Sequence, residues 1–126
     1  MFKRTKGQIE AEISNGIVQF EKDFLGRGPK ETQTYIINDM ILVRLKGVLT
    51  PAEQQLVNNP EGMNLIKKVR SNLLEQGRGL LSELIEKVTG LSVVSLHTDI
   101  STKTGERVIL FTLNQNLEER FKNLFT

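Results

Sequence analysis

The sequence has no cysteine and no tryptophan, and His97 is its one histidine. Without cysteine, the chain has no thiol nucleophile, no cysteine–zinc site and no disulfide bond. A metal centre that needs several histidines is excluded within one chain as well. Apolar runs stay well short of the roughly 18 residues that a membrane-spanning helix requires, and no apolar core of a secretory signal follows the basic start. We therefore expect a cytoplasmic protein without a transmembrane segment.

The length of 126 residues is that of one domain, so we expect a single domain over residues 1–126. Charged residues make up 25% and hydrophobic residues 38% of the chain, as in ordinary soluble proteins. Lysine and arginine outnumber aspartate and glutamate by 17 to 15, and the two signs alternate along most of the chain. A nucleic-acid-binding protein usually gathers its basic residues on one face. The sequence therefore gives no strong nucleic-acid signal.

Apolar residues at helical spacing predict two long helices. The first covers about residues 5–25 and ends at Gly26; its apolar face consists of Ile9, Ile13, Ile17, Phe20 and Phe24. The second covers residues 61–88 and ends at Gly90. Its apolar face is wider than the seam of a two-stranded coiled coil, so we expect it to pack on a sheet and to leave some surface for a partner.

Two short helices are predicted by their capping residues. Thr50 and Glu53 form a capping box around Pro51, and Asn58-Asn59-Pro60 interrupts this helix before the long one begins. Near the end of the chain, Asn116 caps a last helix that buries Leu117, Phe121 and Leu124.

Three strands complete the predicted fold. The segment from Tyr35 to Leu45 is interpreted as one strand, with Ile37, Ile41, Val43 and Leu45 on one face. Leu91–Asp99 and Glu106–Leu113 are interpreted as a hairpin. The order α-β-α-α-β-β-α predicts an α+β fold, with a three-stranded antiparallel sheet and helices on one of its faces. A right-handed crossover places the last strand in the middle. Dimerisation through a sheet edge or through the long helix is expected.

Two stretches of the sequence resemble the bacterial MpsC-like family, a small domain of unknown function. One runs from Gly26-Arg27-Gly28-Pro29-Lys30 through Tyr35-Ile36-Ile37-Asn38-Asp39 to Leu45–Glu53. The other runs from Leu96-His97-Thr98-Asp99 to Thr104-Gly105-Glu106 and on to Phe111-Thr112-Leu113. The resemblance covers nearly the whole chain.

The resemblance implies an accessory or regulatory role beside a membrane complex. MpsC-like proteins are associated with a Na⁺-translocating system that generates membrane potential, and with bicarbonate uptake. The family offers no established catalytic residues that can be assigned to positions in this chain. A chain without a spanning segment is not itself the transporter.

The loop Gly26–Lys30 is the first candidate ligand site. Arg27, Gly28 and Lys30 place two cations beside exposed backbone amides, an arrangement that can hold phosphate or another small anion. The loop lacks the Gly-Lys-Ser/Thr pattern of a P-loop. The alternative is that the segment only ends the first helix and turns the chain.

His97 and Asp99 are the second candidate, since residues two apart on a strand share a face. Such a pair can transfer protons near neutral pH, but a catalytic site needs a further nucleophile or orienting group. The alternative is that Asp99 begins the hairpin turn and His97 lies half exposed.

Asp39 and Arg78 complete the candidate ligand-binding residues. Asp39 is expected on the apolar strand face, paired with Arg44, Arg70 or Arg78, or lining a polar pocket between the sheet and the long helix. Arg78 lies between two glycines of the long helix. That tripeptide predicts a kink or a close contact, a hinge, a turn between two helices, or a place where another subunit's backbone approaches closely.

The sequence thus favours a non-enzymatic cytoplasmic domain that acts through protein interaction, as a homodimer, beside a membrane ion or bicarbonate system. The location can be peripheral to the inner face of the membrane. The alternative is a small-anion or nucleotide sensor that uses the Gly26–Lys30 loop. We expect no catalytic residues, no cofactor and no metal.

Overall fold

The computed structural model describes residues 4–122 and has eight secondary-structure elements within them. In chain order these are α1 (Lys6–Leu25), β1 (Glu31–Ile37), β2 (Met40–Lys46), α2 (Pro51–Leu56), α3 (Pro60–Thr89), β3 (Val93–Ser101), β4 (Glu106–Leu113) and α4 (Leu117–Lys122). The α+β class with an antiparallel sheet is confirmed. The number of strands differs from the prediction, because the sheet has four strands rather than three.

The additional strand comes from the segment that the sequence analysis took as one strand. Residues 38 and 39 form a two-residue turn, Ile37 pairs with Met40, and Asn38 has a left-handed backbone (φ 55°). Asparagine tolerates this conformation better than most residues, which suits it to a tight hairpin. The turn reverses the chain, so Ile37 faces away from Ile41 instead of sharing its face.

The strands follow the order β1-β2-β4-β3, and all three neighbouring pairs are antiparallel. The predicted hairpin of the last two strands is confirmed, with a left-handed Gly105 in its turn. The position of β4 between β2 and β3 is confirmed too.

The core lies on one face of the sheet. Alternate residues of the central strands point into it and are buried: Ile41, Val43, Leu45, Ile109, Phe111 and Leu113. Buried side chains of α1 and α3, such as Ile13 and Leu81, join them in one cluster. The two long helices therefore pack on the same face of the sheet, as the sequence predicts.

Two glycines let α1 and α3 approach closely. A Cβ atom at Gly16 of α1 would meet Leu84, and a Cβ atom at Gly77 of α3 would meet the ring of Phe20. Each glycine thus leaves the space that a side chain of the other helix fills. The helix α3 runs without interruption through Gly77 and Gly79, so the predicted turn between two helices is wrong. The close contact that the sequence also predicts at this tripeptide is present at Gly77.

The predicted helix caps are present. Thr50 and Glu53 form the capping box of α2, and Asn116 accepts a hydrogen bond from the Glu119 amide at the start of α4. Gly26 and Gly90 end the two long helices with left-handed backbones. Leu117 and Phe121 are buried as expected, whereas Leu124 lies outside the described residues.

Helix side chains cover part of both sheet edges. The Ile36 amide on β1 donates to Glu10 Oε2 at 2.9 Å. The Leu96 carbonyl on β3 accepts from Arg78 Nη1 and Nη2 at 3.2 and 3.1 Å. Such caps occupy backbone groups that a neighbouring strand would otherwise use.

Candidate functional site

The sheet face opposite the helices carries an apolar band that we call the open face. Strand pairing aligns its members in rows: Tyr35 pairs with Leu42, and Leu42 with Leu110. Tyr35 and Ile37 are 40% and 41% exposed. The band consists of Tyr35, Ile37, Met40, Leu42, Val108 and Leu110. Met40, Leu42, Val108 and Leu110 are half-buried. A contiguous apolar surface that is partly exposed in this way is typical of an interaction site.

Polar groups border the open face. On β3, His97 pairs across the sheet with Leu110, and Asp99 pairs with Val108. On β2, Arg44 Nε donates to Glu106 Oε2 at 2.8 Å. An apolar centre with a charged margin resembles the anatomy of protein–protein interfaces.

A second candidate lies on the opposite side of the sheet, where α1, α3 and β4 bury charged side chains. Arg70 of α3 is 3% exposed and donates to both carboxylate oxygens of Glu53, from Nη2 at 2.6 Å and from Nε at 2.9 Å. Its Nη2 also donates to the Val48 carbonyl at 2.7 Å. Burial pulls the Glu53 pKa upward, but hydrogen bonds from Arg70 and Thr50 outweigh it and hold that pKa below its ordinary value.

Glu21 of α1 and Arg107 of β4, each 2% exposed, complete this buried cluster. Burial raises the pKa of the Glu21 carboxyl, although the positive charges of Arg107 and Arg70 partly oppose the rise. Burial also lowers the pKa of Arg107, opposed by the negative charge of Glu21. The two groups therefore stabilise each other's charged forms in a site that is otherwise unfavourable for charge.

Two donors of the buried cluster have no hydrogen-bond partner among the described residues. These are Nη1 of Arg70 and Nε of Arg107, although Arg107 Nη1 does donate to the Thr98 hydroxyl at 3.0 Å. A narrow crevice with no room for a water molecule adjoins the cluster, lined by Glu21, Arg70, Arg107 and apolar residues such as Phe24 and Leu73. Unpartnered buried donors are rare in proteins, and the described part of the chain leaves no open path for water or an anion to these two.

The predicted basic loop joins α1 to β1 and packs back onto its neighbours. Gly28 lies against side-chain atoms of Val18 and Lys22, and the Lys30 amide donates to the Lys46 carbonyl at 2.9 Å. Arg27 is half-buried and Lys30 is exposed. These contacts suit a structural turn, and anion binding at this loop stays a prediction.

The prediction for Asp39 is corrected by the hairpin. Because residues 38 and 39 form the β1–β2 turn, Asp39 leaves the apolar strand face and is exposed. The buried ion pair expected for it is not formed; of its three proposed partners, Arg44 pairs with Glu106, Arg70 with Glu53 and Arg78 with Glu75. Its backbone instead holds β4, since the Leu113 amide donates to the Asp39 carbonyl at 2.8 Å.

His97 and Asp99 do share a strand face, at the border of the open face. His97 Nε2 lies 3.2 Å from the Ser95 hydroxyl, and Asp99 Oδ1 accepts from the Ile100 amide at 2.9 Å. Arg78 instead lies on α3, half-buried, where it pairs with Glu75 and caps Leu96. The candidate residues thus lie on several separate elements rather than around one pocket.

The sequence analysis missed the buried cluster, although each member left a signal. Arg70 follows Ile66 and precedes Leu74 at four-residue spacing, so it lies on the core face of its helix. Arg107 alternates with Ile109 and Phe111, which places it on the inner face of its strand. Glu21 follows the buried Ile17 by four residues. Arg70 was named only as a partner for Asp39, and Glu21 and Arg107 were not considered as buried residues.

Within residues 4–122, no helix combines the length and the apolar character that crossing a membrane requires.

A protein-family model described as "Na+-translocating membrane potential-generating system (MpsC)" matches residues 5–115. The chain is also similar to two uncharacterized proteins of Bacillus subtilis (strain 168). It is 50% identical to YbcI over 122 residues, which cover 97% of this chain and 98% of the relative. It is 26% identical to YrhF over 110 residues, which cover 86% and 90%. No solved structure matches the chain significantly.

Proposed function

Because the chain belongs to the MpsC family, we propose that it is a non-enzymatic accessory or regulatory component of a Na⁺-translocating system that generates membrane potential. It acts in the cytoplasm, at or near the inner face of the membrane, by binding a protein of that system. The family description supplies the association with sodium translocation. The structure supplies the surface through which such a component can bind.

The observation that carries this proposal is the open face. Its apolar band lies on the side of the sheet opposite the packed helices, with Tyr35 and Ile37 each about two-fifths exposed. Burying such a surface against a partner releases water from apolar groups, the dominant favourable term in most protein association. The Arg44–Glu106 pair and Asp99 at its margin then select a partner of complementary charge.

A non-catalytic role is supported by the contacts of the candidate acid–base groups. His97 contacts Ser95, and Asp99 accepts a hydrogen bond from the next amide of its own strand. General acid–base catalysis needs several such groups directed at one reacting position. These two residues instead contribute to the polar margin of the open face.

The test compares two exposed apolar residues on different surfaces in cells that lack the gene. Tyr35→Glu places a charge in the open face, whereas Leu56→Glu places one on α2, where Leu56 is 45% exposed. We expect wild type and Leu56→Glu to restore the Na⁺-dependent membrane potential, measured with a voltage-sensitive dye, and Tyr35→Glu to fail. Full restoration by Tyr35→Glu at equal protein levels would contradict docking through the open face.

The deletion strain also tests the association with sodium and with bicarbonate. Loss of the gene is expected to reduce the response of the membrane potential to added Na⁺ and to slow growth when inorganic carbon is scarce. An unchanged Na⁺ response would overturn the proposed association. The association with bicarbonate uptake is based on the family resemblance alone. The growth measurement at low inorganic carbon therefore tests it independently of the Na⁺ response.

We propose further that the working unit is a homodimer. The caps on Ile36 and Leu96 occupy part of each sheet edge, which leaves the long helix α3 as the better of the two predicted routes. Apolar residues of α3 remain exposed, among them Leu65 at 51% and Leu80 at 53%. Equilibrium sedimentation of the purified chain tests the subunit count, and a monomer at all concentrations would contradict this part.

A second candidate function is the sensing of a small anion, favoured by the unpartnered Arg70 Nη1 and Arg107 Nε; the closed crevice beside these donors has to open to admit the anion. Guanidinium donors suit carboxylate, bicarbonate or phosphate oxygens. A bound anion at a hundredfold excess over its dissociation constant stabilises the fold by about 2.7 kcal/mol. We expect a rise in melting temperature in a series of such anions.

Two variants locate such an anion. If Arg107→Gln loses the rise in melting temperature, the anion binds at the buried cluster. If Arg27→Ala loses it, the anion binds at the Gly26–Lys30 loop. Wild-type protein that shows no shift with any of these anions would contradict the sensor function.

A further inference from the structure

Gly79 is a glycine inside a helix that no contact within the chain explains. The other two glycines of α3 are explained: Gly62 lies against the Leu56 carbonyl, and Gly77 against the ring of Phe20. A Cβ atom at Gly79 would have no heavy atom within 4 Å. Glycine in a helix interior is less stable than alanine. Gly79 therefore lowers the stability of the monomer without making room for any contact among its described residues.

Beside this notch, α3 carries an apolar face that is exposed at Leu65, Val69 and Leu80 and partly covered at Leu73 and Leu84. Its residues follow spacings of four, four, three, four and four, which keeps them in one row along the helix. Val69 is 46% exposed, and Gln76 is the polar residue of the row. The row, which we call the outer row, consists of Leu65, Val69, Leu73, Gln76, Leu80 and Leu84.

The outer row continues into space that α1 does not fill. Leu80 and Leu84 line an apolar groove of about 300 Å³ together with Phe20 and Phe24 of α1. The end of α1 lies beside Arg70 and Leu73, so Leu65 and Val69 belong to the part of α3 that extends past it. From Leu65 to Leu84 the row is about 30 Å long at 1.5 Å per residue.

Two oppositely charged pairs beside the outer row are brought together by a two-fold rotation, whereas Glu75, which pairs with Arg78 of its own helix, comes opposite its own copy. If two copies of α3 lie antiparallel about a point between Leu73 and Gln76, Lys68 of one copy comes within about 3 Å along the axis of Glu83 of the other. Glu61 and Lys87 are brought together in the same way. A parallel arrangement would place each of these exposed charges against its own copy.

The polar residue fits the same arrangement. Gln76 lies next to the two-fold axis, so the side-chain amides of both copies meet and can exchange hydrogen bonds. A single polar residue in an apolar helical seam fixes the register of the pair.

We infer that a second copy of this chain occupies the outer row, with the two α3 helices antiparallel and Gly79 allowing the backbones to approach. This inference names the interface of the proposed homodimer and rests on that part of the proposed function. It is independent of the open face and of any membrane partner.

Cysteine cross-linking tests this geometry cleanly, because the natural chain contains no cysteine. We expect Gln76→Cys to cross-link to itself with a short bismaleimide. Lys68→Cys alone should fail, since two copies of residue 68 would lie about 20 Å apart along the helices. A mixture of Lys68→Cys and Glu83→Cys should give the cross-linked heterodimer. Strong cross-linking of Lys68→Cys alone would overturn the antiparallel arrangement.

Sedimentation of two further variants tests the α3 interface independently of whether the chain forms a homodimer. Leu80→Glu is expected to raise the dimer dissociation constant by about thirtyfold or more, as for other central interface residues. Gly79→Leu, which has free space in the monomer, should weaken the dimer as well, and Leu56→Glu should leave it unchanged. A dimer that tolerates both α3 variants would overturn this interface while the homodimer stands, whereas a monomeric wild type would overturn both.

Discussion

Arg70 and Glu53 form a two-point ion pair that joins α3 to the first turn of α2. The guanidinium donates to both carboxylate oxygens, at 2.6 and 2.9 Å, and Glu53 Oε1 also accepts from the Thr50 amide at 2.8 Å. The same carboxylate thus closes the cap of one helix and neutralises a buried arginine of another. This shared use makes the pair a polar link between the two helices.

Removal of Arg70 is expected to destabilise the chain strongly. Arg70→Ala leaves Glu53 and the Val48 carbonyl without their donor in a site that is largely shielded from water, and breaking a buried pair costs about 3–5 kcal/mol. Arg44→Ala breaks the exposed pair with Glu106, which is worth about 1 kcal/mol or less. Urea denaturation of both variants measures the difference. Equal losses would contradict the burial of Arg70.

Glu21 is expected to make the chain less stable as the pH rises. Because burial raises the pKa of its carboxyl above 4.5, its contribution to stability is fully present below about pH 4.5 and is lost as the pH rises through the folded-state pKa. Glu21→Gln does not ionise. As the pH rises from 4.5 to neutrality, the free energy of unfolding of Glu21→Gln should therefore increase relative to that of wild type. Denaturation series at fixed ionic strength measure this difference. A constant difference would count against the raised pKa.

Glu53 is expected to show the opposite dependence. Its pKa is held below 4.5, so its stabilising contribution is present above that pH and is lost as the pH falls through the folded-state pKa. Wild type should exceed Glu53→Gln by about 2 kcal/mol at neutral pH, as for hydrogen bonds to charged groups. The difference in unfolding free energy between wild type and Glu53→Gln should become smaller as the solution is acidified. A difference that stays the same down to pH 3 would contradict the lowered pKa of Glu53.

The two helical glycines Gly77 and Gly7 should respond in opposite ways to alanine. A methyl group at Gly77 meets the ring of Phe20, so Gly77→Ala is expected to cost about 1–3 kcal/mol through overpacking. Gly7 has no heavy atom near its Cβ position, and Gly7→Ala should raise stability by up to about 1 kcal/mol. Thermal unfolding of both variants checks the sign. A stabilised Gly77→Ala would show that α1 and α3 are not in close contact there.

The helices could be predicted from the sequence because their signals are local. The capping box of Thr50 and Glu53 and the glycine at position 90 act within one turn of the chain. The periodicity of the apolar residues likewise shows which face of α1 is buried. Leu65 and Leu80 of α3 are exposed, which agrees with the expectation that the long helix has more apolar surface than the sheet covers.

The first hairpin could not be predicted in the same way. The apolar segment from Tyr35 to Leu45 has a two-residue turn at Asn38-Asp39, without the glycine that usually marks such a turn. Because this turn was not recognised, Ile37 was predicted on the same strand face as Ile41, and Asp39 was predicted on that apolar face as well.

The buried cluster and the open face depend on contacts between residues far apart in the chain. Arg70 and Glu53 are 17 residues apart, and Arg107 approaches Glu21 only once β4 and α1 lie on the same core. No local pattern pairs such residues. Likewise, the band that joins Tyr35 to Leu110 exists only after β2 comes to lie between β1 and β4.

Site-specific photo-cross-linking tests the central claim, that the open face binds a protein of the membrane system. A benzophenone amino acid in place of Tyr35, with one in place of Leu56 as the matched control, is irradiated with membranes of the source cell. We expect an adduct with an integral membrane protein from position 35 alone, suppressed by excess wild-type chain but not by excess Ile37→Glu. Equal adducts from both positions, or none from position 35, would contradict the account.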